Sequence, residues 1–147
     1  MDESNQTCEL CLTTAAGDVL WNSPACRIVR VADPYYPGFC RVIWNEHVRE
    51  MGDLDAVQQH YLMSVVFAVE KVVNTLFKPD KINLASLGNV VPHLHWHIIP
   101  RWRDDRHFPE PIWGTVHRDG LVQRATVGND EMALAIAAEL KNLGQGS

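Results

Sequence analysis

The 147-residue chain has no long apolar run, no excess of positive charge, no internal repeat and few cysteines, and each shortage removes a class of protein. Its apolar runs, Val65 to Val69 among them, are far short of the roughly 20 residues a membrane-crossing helix needs. The first twenty residues carry Asp2, Glu3, Glu9 and Asp18 without the apolar stretch of a secretory leader, so a cytoplasmic protein is expected. Thirteen Lys and Arg against 18 Asp and Glu give a net charge of -5, the wrong sign for neutralising a row of phosphates. Neither nucleic acid nor membrane is therefore expected as a partner, although local donors could still hold a small anion. Four cysteines without a leader argue against a disulfide framework and direct attention to metal or redox chemistry. Cys26 and Cys40 lie in apolar stretches and read as small buried hydrophobes, whereas Cys8 and Cys11 form a Cys-x-x-Cys pair.

What is present reads as one domain over residues 1–147, with 46% hydrophobic and 21% charged residues. Val19 to Val31 reads as two short strands around Asn22-Ser23-Pro24, and Phe39 to Trp44 as a third, after a loop carrying Pro34 and Pro37. Val57, Tyr61, Leu62, Val65, Val66, Val69, Val72, Val73 and Leu76 then recur three or four apart, the period of one helix face. Asp55 with Gln58 three residues on supplies a capping box, and Pro79 stops the helix. Lys81 to Leu87 and His93 to Ile99 return to strand character on either side of a Gly88-Asn89 turn. The stretch from Arg101 to Gly128 is irregular, and Asp130 to Leu143 closes with an Ala-rich helix. Connections too short for parallel crossovers predict an α+β fold: an antiparallel sheet of about five strands with the long helix on one face.

Three of the seven histidines fall within five residues, His93-Leu94-His95-Trp96-His97. On a strand their side chains share one face while Leu94 and Trp96 take the other. Imidazoles so placed can attack an electrophile, pass protons or bind metal. A neutral imidazole with one ring nitrogen held by a backbone carbonyl offers the other as a nucleophile, and its neighbours can donate to phosphate oxygens, an arrangement suited to nucleotidyl transfer. His60 on the long helix reads as solvated, and His107 and His117 sit among charges in the irregular segment. Arg101-Trp102-Arg103 reads either as phosphate-holding or as a solvated loop. Trp113 could close a pocket or a dimer contact.

His93-Leu94-His95-Trp96-His97-Ile98-Ile99 resembles the signature of the histidine triad (HIT) family, His-φ-His-φ-His-φ-φ with φ apolar, and Asn83 to Asn89 resembles that family's strand and phosphate loop. The likeness runs over about 8–101, leaving the irregular segment and C-terminal helix of 102–147 outside it. It extends to the diadenosine tetraphosphate hydrolase-like and nucleotide phosphoramidase branches. It implies a homodimeric nucleotide hydrolase acting on a phosphoramidate or dinucleoside polyphosphate. His95 would attack the α-phosphorus to give a nucleotidyl-histidine that water resolves, His97 would steady the phosphate or leaving group, and His93 would orient the strand. Asp33 would hold the ribose hydroxyls, with Asn83 and Asn89 on the phosphate side. The resemblance also completes a four-ligand structural zinc site from Cys8, Cys11, His47 and His93, with no metal required for the chemistry itself. Three departures stand out: Phe39 where many members carry histidine, Asn89 where many carry Gln, and Val90 where many carry Ser or Thr. They keep open a noncatalytic nucleotide-binding or zinc-stabilised interaction protein.

Overall fold

Ser23 and Asp55 set the first two turns of the architecture through their side chains. The computed structural model describes residues 8–11 and 17–143. Strand β1 (Asp18–Asn22) meets β2 (Cys26–Arg30) through a turn in which Ser23 Oγ accepts from the N–H groups of Ala25 and Cys26, each at 3.2 Å. Strand β3 (Cys40–Trp44) follows, and then helix α1 (Ala56–Phe77). Asp55 caps α1 by accepting from the Gln58 N–H at 2.9 Å, while Gln58 Oε1 accepts from the Asp55 N–H at 2.9 Å. Lys78 in the left-handed region (φ 48°) ends the helix just before Pro79. Strands β4 (Lys81–Ala85) and β5 (His95–Arg101) and helix α2 (Asn129–Leu143) complete the order. The strands form one antiparallel sheet, β1-β2-β3-β5-β4. No helix among the described residues is long and apolar enough to cross a membrane.

The register divides the sheet into two unlike faces. Cys26, Ile28, Cys40, Val42, Trp44 and Ile98 turn to Leu62, Val65, Val66, Val69 and Val73 of α1 and form the main core, joined by Met132 and Ile136 of α2. Cys26 and Cys40 are fully buried there, as their apolar settings predict. Gly38 (φ 92°) lets the β2–β3 connection lie on the end of α1, since a Cβ there would stand 2.7 Å from the Phe77 ring. The opposite face carries Arg27, Val29, Arg41, Ile43, His95, His97, Arg101 and Asn83. No helix covers it. A small second cluster of Cys8, Leu10, Val29 and Ile43 lies at one side of this face, and the irregular segment after β5 lies at the other.

That segment is pinned by Asp105, which is 2% exposed. Its carboxylate accepts from Arg101 Nε at 2.8 Å and Nη2 at 3.1 Å, from the N–H groups of Trp102, His107 and Phe108, and from Tyr36 Oη at 3.2 Å. Arg101 also donates to Asn83 Oδ1 at 2.8 Å and to the Glu110 carbonyl at 2.7 Å. Both alternatives drawn for Arg101 from sequence are thus corrected: it is a buried structural cation at the end of β5, neither solvated nor phosphate-facing. The final strand also begins two residues later than expected, because the Leu94 N–H donates to the Val48 carbonyl and the His93 N–H to the Val91 carbonyl, each at 2.8 Å.

Burial alone would raise the Asp105 carboxyl, but the Arg101 and backbone hydrogen bonds, with the Arg101 charge, hold it down to about 2. Its stabilising contribution is complete above the unfolded value of about 3.9 and is lost as pH falls from there through the folded value. Asp105→Ala leaves Arg101 buried without its partner and should cost about 3–5 kcal/mol in equilibrium denaturant unfolding. A loss below about 1 kcal/mol, the range of an exposed pair, would contradict the role given to this carboxylate.

Candidate functional site

His95 and His97 stand on the uncovered face of β5, where strand alternation puts both toward one cavity of about 390 Å³. Its walls are Glu9 and Leu10 on one side, Arg41 from β3, the Leu87–Val91 loop between β4 and β5, and Trp113 from the irregular segment. The two imidazoles lie edge to face with centroids 4.9 Å apart. His97 also meets Phe39 at 5.8 Å and Trp113 at 5.0 Å, so three aromatic rings surround it. The segment held by Asp105 therefore supplies one wall, which answers the question that Trp113 leaves open in the sequence.

A carbonyl oxygen can only accept, so the 2.5 Å contact between His95 Nδ1 and the His93 carbonyl puts the proton on Nδ1. Nε2 of His95 is then the lone-pair nitrogen. Burial, with the nearby charge of Arg41, outweighs that hydrogen bond and lowers the His95 pKa, keeping the ring neutral. Burial, then the neighbouring charges of His95 and Arg41, take His97 down to about 3. The Phe39 that departs from the signature is 3% exposed and packs on the His97 ring, where it adds apolar surroundings and no donor.

His93 faces elsewhere. It lies just before β5, fully buried, and its Nε2 donates to the Trp44 carbonyl at 2.5 Å. The proton on Nε2 leaves Nδ1 as a bare lone pair, and that atom lies 3.5 Å from Cys8 Sγ, 3.4 Å from Cys11 Sγ and 3.2 Å from His47 Nδ1. Cys11 Sγ is a further 3.3 Å from His47 Nδ1. One lone pair cannot serve three neighbours by hydrogen bonding, whereas four donor atoms within 4.8 Å of one another can share one metal ion. Burial, followed by the Cys8 hydrogen bond and charge, pushes the Cys11 thiol up to about 11 against a smaller lowering by Arg27. The Cys8–Cys11 turn also carries Glu9 and Leu10, so the same turn that gathers the ligands builds a wall of the cavity.

The remaining expected residues separate. Asn89 lines the cavity within its loop, beside Val90, which is 92% exposed. Asp33 does not line it; its Oδ1 accepts from the Tyr35 N–H at 2.9 Å and shapes the β2–β3 loop. Asn83 lies on the cavity face of the sheet but is engaged by Arg101. His60 is exposed, and His107 Nδ1 pairs with Tyr36 Oη at 2.6 Å. Arg41 is the cavity residue that sequence reasoning missed. It directly faces His97 across the β3–β5 pair, and only its place in the Phe39–Trp44 strand, odd in step with Ile43, signals the face it takes.

A family model described as "HIT domain" matches residues 13–104. Over 88 residues the chain is 30% identical to an AP-4-A phosphorylase of Mycobacterium tuberculosis, covering 56% of this chain and 45% of that protein. Over 107 residues it is 27% identical to the bis(5'-nucleosyl)-tetraphosphatase [asymmetrical] of Schizosaccharomyces pombe, covering 68% and 59%. The chain thus spans about half the length of these curated relatives. Among solved structures, the histidine triad protein blr8122 of Bradyrhizobium japonicum superposes with a TM-score of 0.63 at 31% identity, over 84% of this chain and 90% of that one.

The neutral state of His97 has a direct readout. In a ¹⁵N NMR titration its ring should stay neutral from pH 8 to about pH 4, well below the ordinary histidine value of about 6.5. Because the unfolded chain accepts a proton at His97 that the folded chain refuses, stability should fall as pH drops through that interval. A ring that protonates near the ordinary value of about 6.5 would refute the assignment.

Proposed function

Since the chain belongs to the HIT domain family, we propose that it is a nucleotide hydrolase acting at the α-phosphate of a nucleoside phosphoramidate or dinucleoside polyphosphate through a nucleotidyl-histidine. The observation that carries this reading is the His95 imidazole, neutral and fixed by the His93 carbonyl, with Nε2 as its free nitrogen in a cavity. In the proposed step the Nε2 lone pair forms a bond to the α-phosphorus, and the bond from phosphorus to the leaving group breaks with its electron pair, a polyphosphate departing as the anion and an amine after its nitrogen takes a proton from solvent. The positive charge that appears on the His95 ring is met by the His93 carbonyl, already in contact with Nδ1–H. The His97 N–H hydrogen-bonds the phosphate or the departing group, and His93 holds the start of the strand in place. Water then attacks phosphorus, Nε2 departs as the neutral imidazole, and the water proton leaves with solvent or product. The names of the two curated relatives, both concerned with bis-nucleoside tetraphosphates, support this class of substrate.

Phe39 against His97 and Val90 at the loop tip favour a second reading, a nucleotide-binding protein with little turnover, because neither side chain can pass a proton to a leaving group. Kinetics decide between the two. His95→Asn should abolish nucleotide release, whereas His97→Asn, which removes a donor to the transition state, should cost about a hundred- to a thousandfold. Mass spectrometry after a rapid acid-free quench should place the nucleotidyl adduct on His95. Binding without turnover in the wild type would establish the second reading, and an adduct elsewhere would overturn the first.

For the metal cluster we infer zinc. Zn–S bonds of about 2.3 Å and Zn–N bonds of about 2.0–2.1 Å put the corners of a tetrahedron about 3.3–3.8 Å apart. Three of the donor separations, 3.3–3.5 Å, fall within that span, that between the two imidazoles, 3.2 Å, lies just below it, and all four donor atoms are within 4.8 Å of one another. Four protein ligands leave no open position, so the ion would fasten the Cys8–Cys11 turn to the sheet. Protein purified without added metal should carry about one equivalent of zinc, and Cys8→Ser should lower both the zinc content and the thermal stability. Less than about a tenth of an equivalent, with stability unchanged by the substitution, would defeat the zinc site. The reading also includes a homodimer, for which Val57, Tyr61 and Phe67 on the outer side of α1 offer exposed apolar surface. Light scattering on the same preparation should give the mass of two chains.

A further inference from the structure

The cavity holds one positive charge that the chemistry proposed above does not use. Arg41 sits directly opposite His97 across the β3–β5 pair, and both side chains point from the uncovered face of the sheet. Phe39 lies between them, 5.7 Å from the guanidinium carbon and 5.8 Å from the His97 ring centroid. Arg41 Nε is buried with no hydrogen-bond partner among the described residues, and so is His97 Nδ1 beside it. A buried polar atom left unpaired costs on the order of 1–3 kcal/mol, and because both residues line the cavity, an anion held there by the guanidinium would offset part of that cost. No carboxylate oxygen lies within 4.0 Å of the guanidinium among the described residues. Glu9 shares the wall and partly offsets the charge without closing an ion pair.

We propose that Arg41 is a specificity-determining residue that binds a phosphate beyond the one His95 attacks, so that the preferred substrate is a nucleotide with a polyphosphate leaving group rather than a phosphoramidate. The proposal rests on the hydrolase reading above and deepens it. A guanidinium offers several donors in a planar fork and takes phosphate oxygens two at a time. The two substrate classes differ in the group attached beyond the α-phosphate. A polyphosphate adds negative charge there, which the guanidinium attracts. A phosphoramidate adds an amine that departs neutral or protonated, which the guanidinium leaves unaided or repels.

The test compares wild type, Arg41→Gln and Arg41→Lys on diadenosine tetraphosphate and adenosine 5'-phosphoramidate, with calorimetric binding of ATP and AMP to each. The Gln variant should lose at least about tenfold more kcat/KM on the tetraphosphate than on the phosphoramidate, and Lys, which keeps the charge, should recover part of that difference. Wild type should bind ATP at least about tenfold more tightly than AMP, with the ratio collapsing in Arg41→Gln. Equal losses on both substrates would place Arg41 on the attacked phosphate and overturn the proposal, as would a wild type that binds AMP as tightly as ATP. If Arg41→Gln does not fold, the wild-type ATP-to-AMP ratio and its change in Arg41→Lys decide the matter alone. If wild type turns over neither substrate yet shows the affinity ratio and its collapse, the hydrolase reading fails while the assignment of Arg41 stands.

Discussion

The Arg101–Asp105 pair is the contact on which the second face of the sheet depends. One face is closed by α1 through ordinary apolar packing. Among the described residues the other has no helix, and the irregular chain that borders it has backbone polar groups that need partners from elsewhere. Asp105 supplies them, accepting from three backbone N–H groups of the segment while Arg101 fixes the carboxylate to the end of β5. Arg101 also ties in Asn83 of β4 and the Glu110 carbonyl. A few residues further on, Trp113 lies beside His97. A charge pair far from reacting atoms thereby gives the cavity one of its walls.

The opposite wall has a similar logic with different chemistry. His93 makes three connections at once: Nε2 to the Trp44 carbonyl, Nδ1 toward the cysteines and His47, and its carbonyl to His95. The first determines the tautomer required for the second, and the third sets the tautomer of the neighbouring imidazole. Arg27 reinforces the arrangement by donating to the Leu10 carbonyl. The Cys8, Cys11, His47 and His93 cluster and the His95 imidazole are thus joined through His93, and neither can be displaced without disturbing the other.

Where local rules suffice, the sequence was legible. The apolar period of α1, its Asp55–Gln58 box and Pro79 identify the helix and its bounds, and alternation identifies the five strands to within a residue or two at most ends. His95 and His97 share a cavity because strand alternation requires it. The site residues that went unseen depend on long-range pairing. Arg41 acquires meaning only through the β3–β5 register, and Asp105 only through a loop whose course no local pattern specifies. Arg101 reads as a surface or phosphate cation until its buried partner is known. Asn83 lies on the expected face, yet Arg101 engages its side chain, a competition that no local pattern reveals.

Glu9 and Leu10 hang between two cysteines that converge on one cluster, and both side chains line the cavity. The neighbours of this pair are tightly constrained, while the pair itself contributes no atom to the ligand set. Variation at position 9, which is exposed, can therefore exchange acid for amide or charge for bulk without moving a strand or touching a histidine, while Leu10 anchors the turn against Val29 and Ile43. Chain segments of this kind let binding preferences diverge between otherwise similar proteins, since the scaffold absorbs none of the change.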